Sequence, residues 1–269
     1  MATQFFFGTT GADVLYGSDS YDPTIAWDDI IHGFGGADVI YAGAGDDWVW
    51  SSTLSTLGGH FYGGAGDDVL VGYGGSDWLQ GDDGGDILIG GADNDTLIGG
   101  DGADQLWGLE SHDWLNGGPG ADILVGGEGF DSLVAGVDSE RDVLIGEAGP
   151  DRYLVGEGGA IVGYPTGMPR PEAPVEGVNI VWGFEPGVDT LVLPQAGRGA
   201  FASYFSYDST SGYNAALGLT GTMVLHEFHR AIGGMNSTQG FVFLAGVDTS
   251  LAALQAAGSL QIDDAILYL

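Results

Sequence analysis

The chain has 269 residues, 52 of them glycine and none cysteine, with 38 acidic against 5 basic side chains and a formal charge of −33. Such a surface repels nucleic acid and anionic lipid and attracts cations, while the lack of cysteine excludes disulfide staples and thiol chemistry. At 44% hydrophobic and 11% aromatic the composition is that of a folded protein, not an acidic disordered tail, and glycine without a triplet period excludes collagen.

The start, MATQFFFGTT, has neither a basic n-region nor a long apolar stretch, so neither a Sec-type signal peptide nor a membrane span is expected. GTTGADVLY (8–16) then presents Asp13 in an outlying copy of a motif that becomes regular further on. Registered on aspartate, the series runs Asp29, Asp38, Asp47, then Asp68, Asp77, Asp86, Asp95, Asp104, Asp113, Asp122 and Asp131. Asp142 and Asp151 follow after a two-residue slip. Between 47 and 68 an insertion, SSTLSTLGGH, is expected to form a loop or an irregular extra turn.

Within one unit, GGAGDDVLV (63–71), six residues suit a turn and three suit a strand. Glycine reaches left-handed backbone angles at little cost, and Val, Leu, Ile and Trp favour extended, half-buried backbone. The middle strand residues are Leu70, Leu79, Leu88, Leu97, Leu106, Leu115, Leu124, Leu133 and Leu144, which align as one interior column. Nine residues then make half a coil, so strands alternate between two parallel sheets facing each other across the leucines. That arrangement sorts Asp68, Asp86, Asp104 and Asp122 to one edge and Asp77, Asp95, Asp113 and Asp131 to the other. Carboxylates at strand spacing, about 4.8 Å, repel one another. A hard cation between turns reverses the sign, and Ca²⁺ suits carboxylates and turn carbonyls better than Mg²⁺, which keeps its waters.

GGAGDDVLV, GGDGADQLW and GGPGADILV resemble the nonapeptide of the RTX (repeats-in-toxin) family, over most of residues 8–155. The resemblance implies an all-β fold: a right-handed parallel β-roll that holds several Ca²⁺ ions. It assigns ligand roles to Asp68 through Asp131 at nine-residue steps, and to Asp29, Asp38, Asp47, Asp142 and Asp151. Two turns depart from the pattern. Asp93 replaces the glycine before Asp95, and in GLESHD (108–113) Ser111 does so before Asp113, with Leu109 and Glu110 ahead of it. The second is expected to be the weakest site.

Outside the roll, Val69, Val71, Ile87, Ile89, Gln105, Trp107, Ile123, Val125, Val143 and Ile145 form a nearly apolar face, while Trp78, Gln80, Thr96, Ile98, Trp114, Asn116, Ser132, Val134 and Arg152 form a mixed one. The apolar face should be covered by residues 160–269 or by a second subunit.

Charge changes near residue 160: positions 1–159 carry 24 Asp, 5 Glu and 2 Arg, a net of −27, and the remainder carries −6. GYPTGMPRPEAP (163–174) reads as a linker, dividing the chain into a calcium-binding roll (1–160) and a smaller, mainly-β capping or secretion region with a short helix (161–269). VNIVWGFEPGVDTLVL (178–193) predicts two strands around EPGVD and resembles the stretch that often follows RTX repeats. GFVFLAGVDTSLAALQAAG (240–258) predicts a strand, a turn and a helix capped by Thr249 or Ser250. The end, QIDDAILYL, resembles a type I secretion signal.

Catalytic sets are scarce. LHEFHR (225–230) spaces His226 and His229 at i and i+3, where a zincin needs i and i+4, and its surroundings favour strand. The expectation is therefore no catalytic site and no organic cofactor: a secreted, calcium-folded structural or assembly protein of cell surface, matrix or filament. Its partners would be calcium ions and a second copy or another surface protein, without nucleic acid or a membrane span. The alternatives are an accessory module of a secreted protease, lipase or polysaccharide-modifying enzyme, or a glycan- or ice-binding adhesin module.

Overall fold

The structure, a computed structural model, describes residues 3–18, 27–52, 55–136, 138, 140–154, 178–182, 188–194, 203–214, 219–230, 237–245 and 251–263. The early strands are β1 (Gln4–Phe7), β2 (Val14–Tyr16), β3 (Asp29–Phe34), β4 (Val39–Ala44), β5 (Trp48–Ser51), β6 (His60–Ala65), β7 (Val69–Gly74) and β8 (Trp78–Asp83). They continue as β9 (Ile87–Ala92), β10 (Thr96–Asp101), β11 (Gln105–Glu110), β12 (Trp114–Asn116), β13 (Ile123–Glu128), β14 (Ser132–Val134), β15 (Val143–Ala148) and β16 (Arg152–Leu154). Odd strands pair side by side in one sheet and even strands in the other, every neighbour parallel. This is the two-sheet roll that a nine-residue half-coil demands.

Most strands are longer than the expected three residues. Val69–Gly74 spans six, because pairing between equivalent coils continues around the bend, with Tyr73 opposite Gly91 and Gly74 opposite Ala92. The bend itself comes from left-handed residues at its middle, such as Tyr73 (φ 72°) and Gly91 (φ 129°).

The leucine column forms as expected: Leu70, Leu79, Leu88, Leu97, Leu106, Leu115, Leu124, Leu133 and Leu144 are fully buried in one cluster. Ile31, Ile40, Val49, Phe61, Tyr153, Leu191 and Leu254 lengthen it at both ends. Phe61 explains the insertion. It heads the core of β6, a complete half-coil, so only part of SSTLSTLGGH departs from the roll.

Beyond the roll lie β17 (Val178–Trp182), β18 (Thr190–Pro194), β19 (Ser203–Asn214), β20 (Leu219–Arg230), β21 (Ser237–Ala245), α1 (Leu251–Ala256) and β22 (Leu260–Asp263). β17 and β18, the strands flanking EPGVD, do not pair with each other. Each adds to the edge of one sheet, β17 to β15 and β18 to β16, as a further coil would. Both sheets therefore run across residue 160. β19, β20 and β21 then turn the odd sheet antiparallel. α1 appears where the sequence predicts a helix, and its Leu254 is buried against the core column; Thr249 and Ser250 lie outside the described residues. LHEFHR lies in β20, a strand, which excludes the helical zincin geometry.

The described C-terminal strands extend the sheets edgewise; much of 160–269, one of the two covers expected for the outer apolar face, lies outside the described residues. The face is longer than expected. Register places Phe5, Ile30 and Trp48 beside Val69, and Phe7, His32 and Trp50 beside Val71, so the stripe crosses eight strands. Among the described residues no helix is long and apolar enough to cross a membrane.

Candidate metal centre

Each repeat aspartate sits where a turn enters a strand, and its carboxylate faces inward along the edge of the roll. Asp38, Asp47, Asp86, Asp122 and Asp131 have no exposed surface, and Asp29, Asp68, Asp77, Asp95, Asp104, Asp113, Asp142 and Asp151 are all but buried. Burying a charge requires compensation. Half of it comes from the backbone of the preceding coil: the Asp68 N–H donates to Asp86 Oδ1 at 2.8 Å, Asp86 to Asp104 at 2.8 Å, and Asp104 to Asp122 at 2.9 Å.

These bonds link the acids into two columns. One runs Asp29, Asp47, Asp68, Asp86, Asp104, Asp122, Asp142. The other runs Asp77, Asp95, Asp113, Asp131, Asp151 and on to Asp189, whose Oδ1 accepts the Asp151 N–H at 2.9 Å. Toward the N-terminus this second column passes through Gly59, at the position an aspartate would take, before Asp38 and Asp13. The sorting of acids to two edges thus follows the expected coil. Asp189 was not among the expected residues, although GVDTLV (187–192) carries the same Gly-x-Asp-x-Leu signal as GADILV. Asp13 joins its column across 25 residues, a spacing that hid it.

The second carboxylate oxygen is the telling one. Oδ2 of Asp38, Asp68, Asp77, Asp86, Asp95, Asp104, Asp113, Asp122 and Asp131 is buried with no hydrogen-bond donor. Each of these oxygens faces a glycine five residues earlier. A methyl group on Gly72 would overlap both Asp77 Oδ2 and the Gly90 carbonyl oxygen one coil on. The same pair of oxygens converges at Gly63 (Asp68 and Gly81), Gly81 (Asp86 and Gly99), Gly99 (Asp104 and Gly117) and Gly108 (Asp113 and Gly126). The spaces are thus lined by oxygen acceptors and kept open by the absence of a side chain. No point among the described residues gathers three acid or imidazole side chains. The levels at Gly63, Gly72, Gly81, Gly99 and Gly108 each offer one carboxylate oxygen with a backbone carbonyl, the mixed hard-oxygen set that suits Ca²⁺.

Electrostatics agrees. Without a cation, burial pushes Asp68 up to about 9, Asp95 and Asp142 to about 8, and Asp77, Asp86, Asp113 and Asp122 to about 7. Asp104 rises to about 6, and Asp38 and Asp131 rise too, again mainly through burial. Backbone N–H bonds pull each back, and for most of them neighbouring carboxylates add to the rise.

The departing turns keep the common backbone. Asp93 (φ 74°) and Ser111 (φ 86°) hold the left-handed angle in place of glycine, and Leu109 (φ 88°) does so two residues before Ser111. Asp113 keeps both column bonds at 2.8 Å, so that turn bears strain without leaving the column.

Comparison with known families decides what this array is. The model of the RTX calcium-binding nonapeptide repeat matches in four copies, at residues 4–22, 28–50, 62–97 and 98–133. The array is an RTX repeat array. Its matched stretches break across 51–61, where Gly59 stands for aspartate, and stop at 133, before the slip to Asp142. No curated protein compared with the chain matches it. RTX repeats imply calcium binding, and the open, oxygen-lined levels of this roll fit that ion: Asp carboxylates and glycine carbonyls would hold it, and it would supply the positive charge that the buried acids lack.

Proposed function

We propose that this RTX roll is a secreted, non-catalytic assembly protein, which folds on meeting calcium outside the cell and associates with a second copy through its apolar sheet face. The observation that carries this reading is the stripe on the odd sheet. Its two rows run Phe5, Ile30, Trp48, Val69, Ile87, Gln105, Ile123, Val143 and Phe7, His32, Trp50, Val71, Ile89, Trp107, Val125, Ile145, in strict register from strand to strand. Side chains along each row shield one another, so most are half-buried, yet Phe5, Phe7, Trp48 and Ile123 stay exposed.

A flat stripe of this length exceeds what a soluble monomer normally shows to water. A second copy is the occupant with matching geometry, because an identical ladder repeats at the same strand spacing and buries apolar side chains row against row. Calcium governs when this happens. Uncompensated, the −33 charge opposes compaction, and in low calcium the chain stays extended and fit for export. At millimolar external calcium, binding free energy becomes folding free energy, and the stripe forms only then.

The test is the double variant Ile87→Lys/Ile123→Lys, followed by sedimentation velocity in calcium. The wild-type chain is expected to form dimers or larger species and the variant to remain monomeric with the same circular dichroism. Identical sedimentation of the two would refute the assembly reading.

A further inference from the structure

At the interior levels a glycine, an Asp Oδ2 and often a backbone carbonyl enclose an open space. At three outer levels the glycine and the carboxylate are kept, but a hydroxyl group enters. At the start of the first column, Gly17 faces Asp29 Oδ2 and the Ala42 carbonyl as an interior glycine would. There Ser18 donates its N–H to Asp29 Oδ2 at 2.7 Å and directs its hydroxyl to both carboxylate oxygens, at 3.0 and 2.9 Å. At the start of the second column, Gly8 faces Asp13 Oδ2 and the Gly33 carbonyl. Thr9 donates its N–H to Asp13 Oδ2 at 2.5 Å and its hydroxyl at 2.9 Å.

Backbone hand separates these levels from the interior. The residue after the pocket glycine is left-handed at Gly64, Tyr73, Asp82, Gly91, Gly100, Leu109, Gly118 and Gly127, whether or not it is glycine. Thr9 and Ser18 are not. Their N–H groups turn toward the carboxylate, which supplies donors where the interior has none.

The level of Asp151, one before Asp189 in the second column, solves the same problem differently. Tyr153 stands at the core position that leucine fills elsewhere, and it is fully buried. Its hydroxyl reaches into the turn and accepts the Gly146 N–H at 2.9 Å. A methyl group on Gly146 would overlap both Asp151 Oδ2 and the Tyr153 hydroxyl oxygen, so the phenol occupies the space that a Gly carbonyl borders at Gly72 or Gly99.

We infer that Ser18, Thr9 and Tyr153 are built-in end caps, each setting a neutral hydroxyl where interior levels take a cation, and that calcium binding is confined to the levels between them. The inference rests on the calcium reading above and narrows it, taking Asp29 and Asp151 out of the ligand set and keeping Asp13 from joining it. It also gives the roll ends that close without metal, beside the edge strands on one side and the further coil on the other.

The experiment is calcium stoichiometry on the full chain, by equilibrium dialysis with native mass spectrometry, for wild type, Tyr153→Leu, Tyr153→Phe and Ser18→Gly. Leucine is the residue of the equivalent core positions, and glycine permits the left-handed turn of the interior. Tyr153→Leu and Ser18→Gly are each expected to bind one ion more than wild type, and Tyr153→Phe no fewer. Unchanged counts in both gain variants, or loss of an ion in Tyr153→Phe, overturn the caps; the latter would make the phenol a ligand. Ser18→Gly alters a half-buried turn outside the core, so it reports even if the core variant fails to fold. A wild-type chain that is fully folded at pH 8 with no calcium bound overturns the calcium reading itself, a result distinct from unchanged counts in a calcium-loaded protein.

Discussion

Asp86 occupies a place where its ionised carboxylate lacks compensation without a cation. Its Oδ1 accepts the Asp68 N–H, while its Oδ2 lies beside the Gly99 carbonyl at Gly81, acceptor against acceptor. An asparagine there keeps the first bond and turns the second oxygen into an N–H₂ donor, which can serve the Gly99 carbonyl. Asp86→Asn is therefore expected to stabilise the calcium-free roll, by roughly 1–3 kcal/mol, the usual cost of an unsatisfied buried polar group. It should also raise the calcium concentration needed for folding, because one ligand charge is gone. The pH midpoint of unfolding in chelator and a calcium titration, both followed by circular dichroism, check the two halves, and a variant that unfolds at lower pH in chelator would contradict the orphaned oxygen. Gly72→Ala acts on the same space from the other wall. Its methyl group would displace Asp77 Oδ2 and the Gly90 carbonyl, so calcium-dependent stability should fall while Gly74→Ala, whose added methyl meets only the Ser55 carbonyl, is milder.

Turns and strands carry the strain that residues such as Asp86 do not show. The bend that ends β11 places Leu109, and Ser111 just after the strand, at φ 88° and 86°, where an L side chain costs about 1–2 kcal/mol. Glycine relieves that cost at an entropic penalty of about 0.5–1 kcal/mol, so Leu109→Gly is expected to stabilise the folded roll by about 0.5–1 kcal/mol. A higher urea midpoint at saturating calcium would show it. Leu106→Ala, in the adjoining core, should cost about 2–5 kcal/mol by the same measurement. The contrast explains what was legible beforehand. Where Gly, Asp and Leu recur together, from Asp68 to Asp131, the period alone orders strands, core and columns, because each residue type has one place in the half-coil. Where one of the three is missing the period loses its anchor: β6 carries Phe61 and Gly59 in place of Leu and Asp, and Asp189 follows a long interval in which nothing repeats. β19 and β20 have ordinary strand residues without the Gly-Asp signal, so nothing local specifies that they pair antiparallel. The end caps were invisible for another reason. Ser18 and Thr9 look like turn residues, and only their bonds to Asp29 and Asp13 distinguish them from the interior.

For the molecule as a whole, the columns tie folding to both calcium and protons, with opposite signs. In the calcium-free roll, burial raises Asp68, Asp77, Asp86, Asp95, Asp104, Asp113, Asp122 and Asp142 from the ordinary carboxylate range to between about 6 (Asp104) and about 9 (Asp68). An acid whose folded value is raised favours the folded state while both states are protonated. That contribution is complete below the unfolded value, near 4, and is lost as pH rises through the folded values. In chelator, then, the chain is expected to be most compact near pH 4 and to unfold progressively between about pH 4 and pH 9. Calcium reverses the slope. It binds the ionised carboxylates, so each ion taken up releases the protons those groups still hold, and affinity climbs as pH rises through the same window. Saturating calcium should hold the roll folded at pH 8, where chelator leaves it unfolded, and acidification should expel the ions without unfolding the chain. A pH series of circular dichroism spectra, with and without calcium, checks all of this at once. A chelated chain that is fully folded at pH 8 would mean that the buried carboxylates find their compensation elsewhere, and the electrostatic account of the columns would fall.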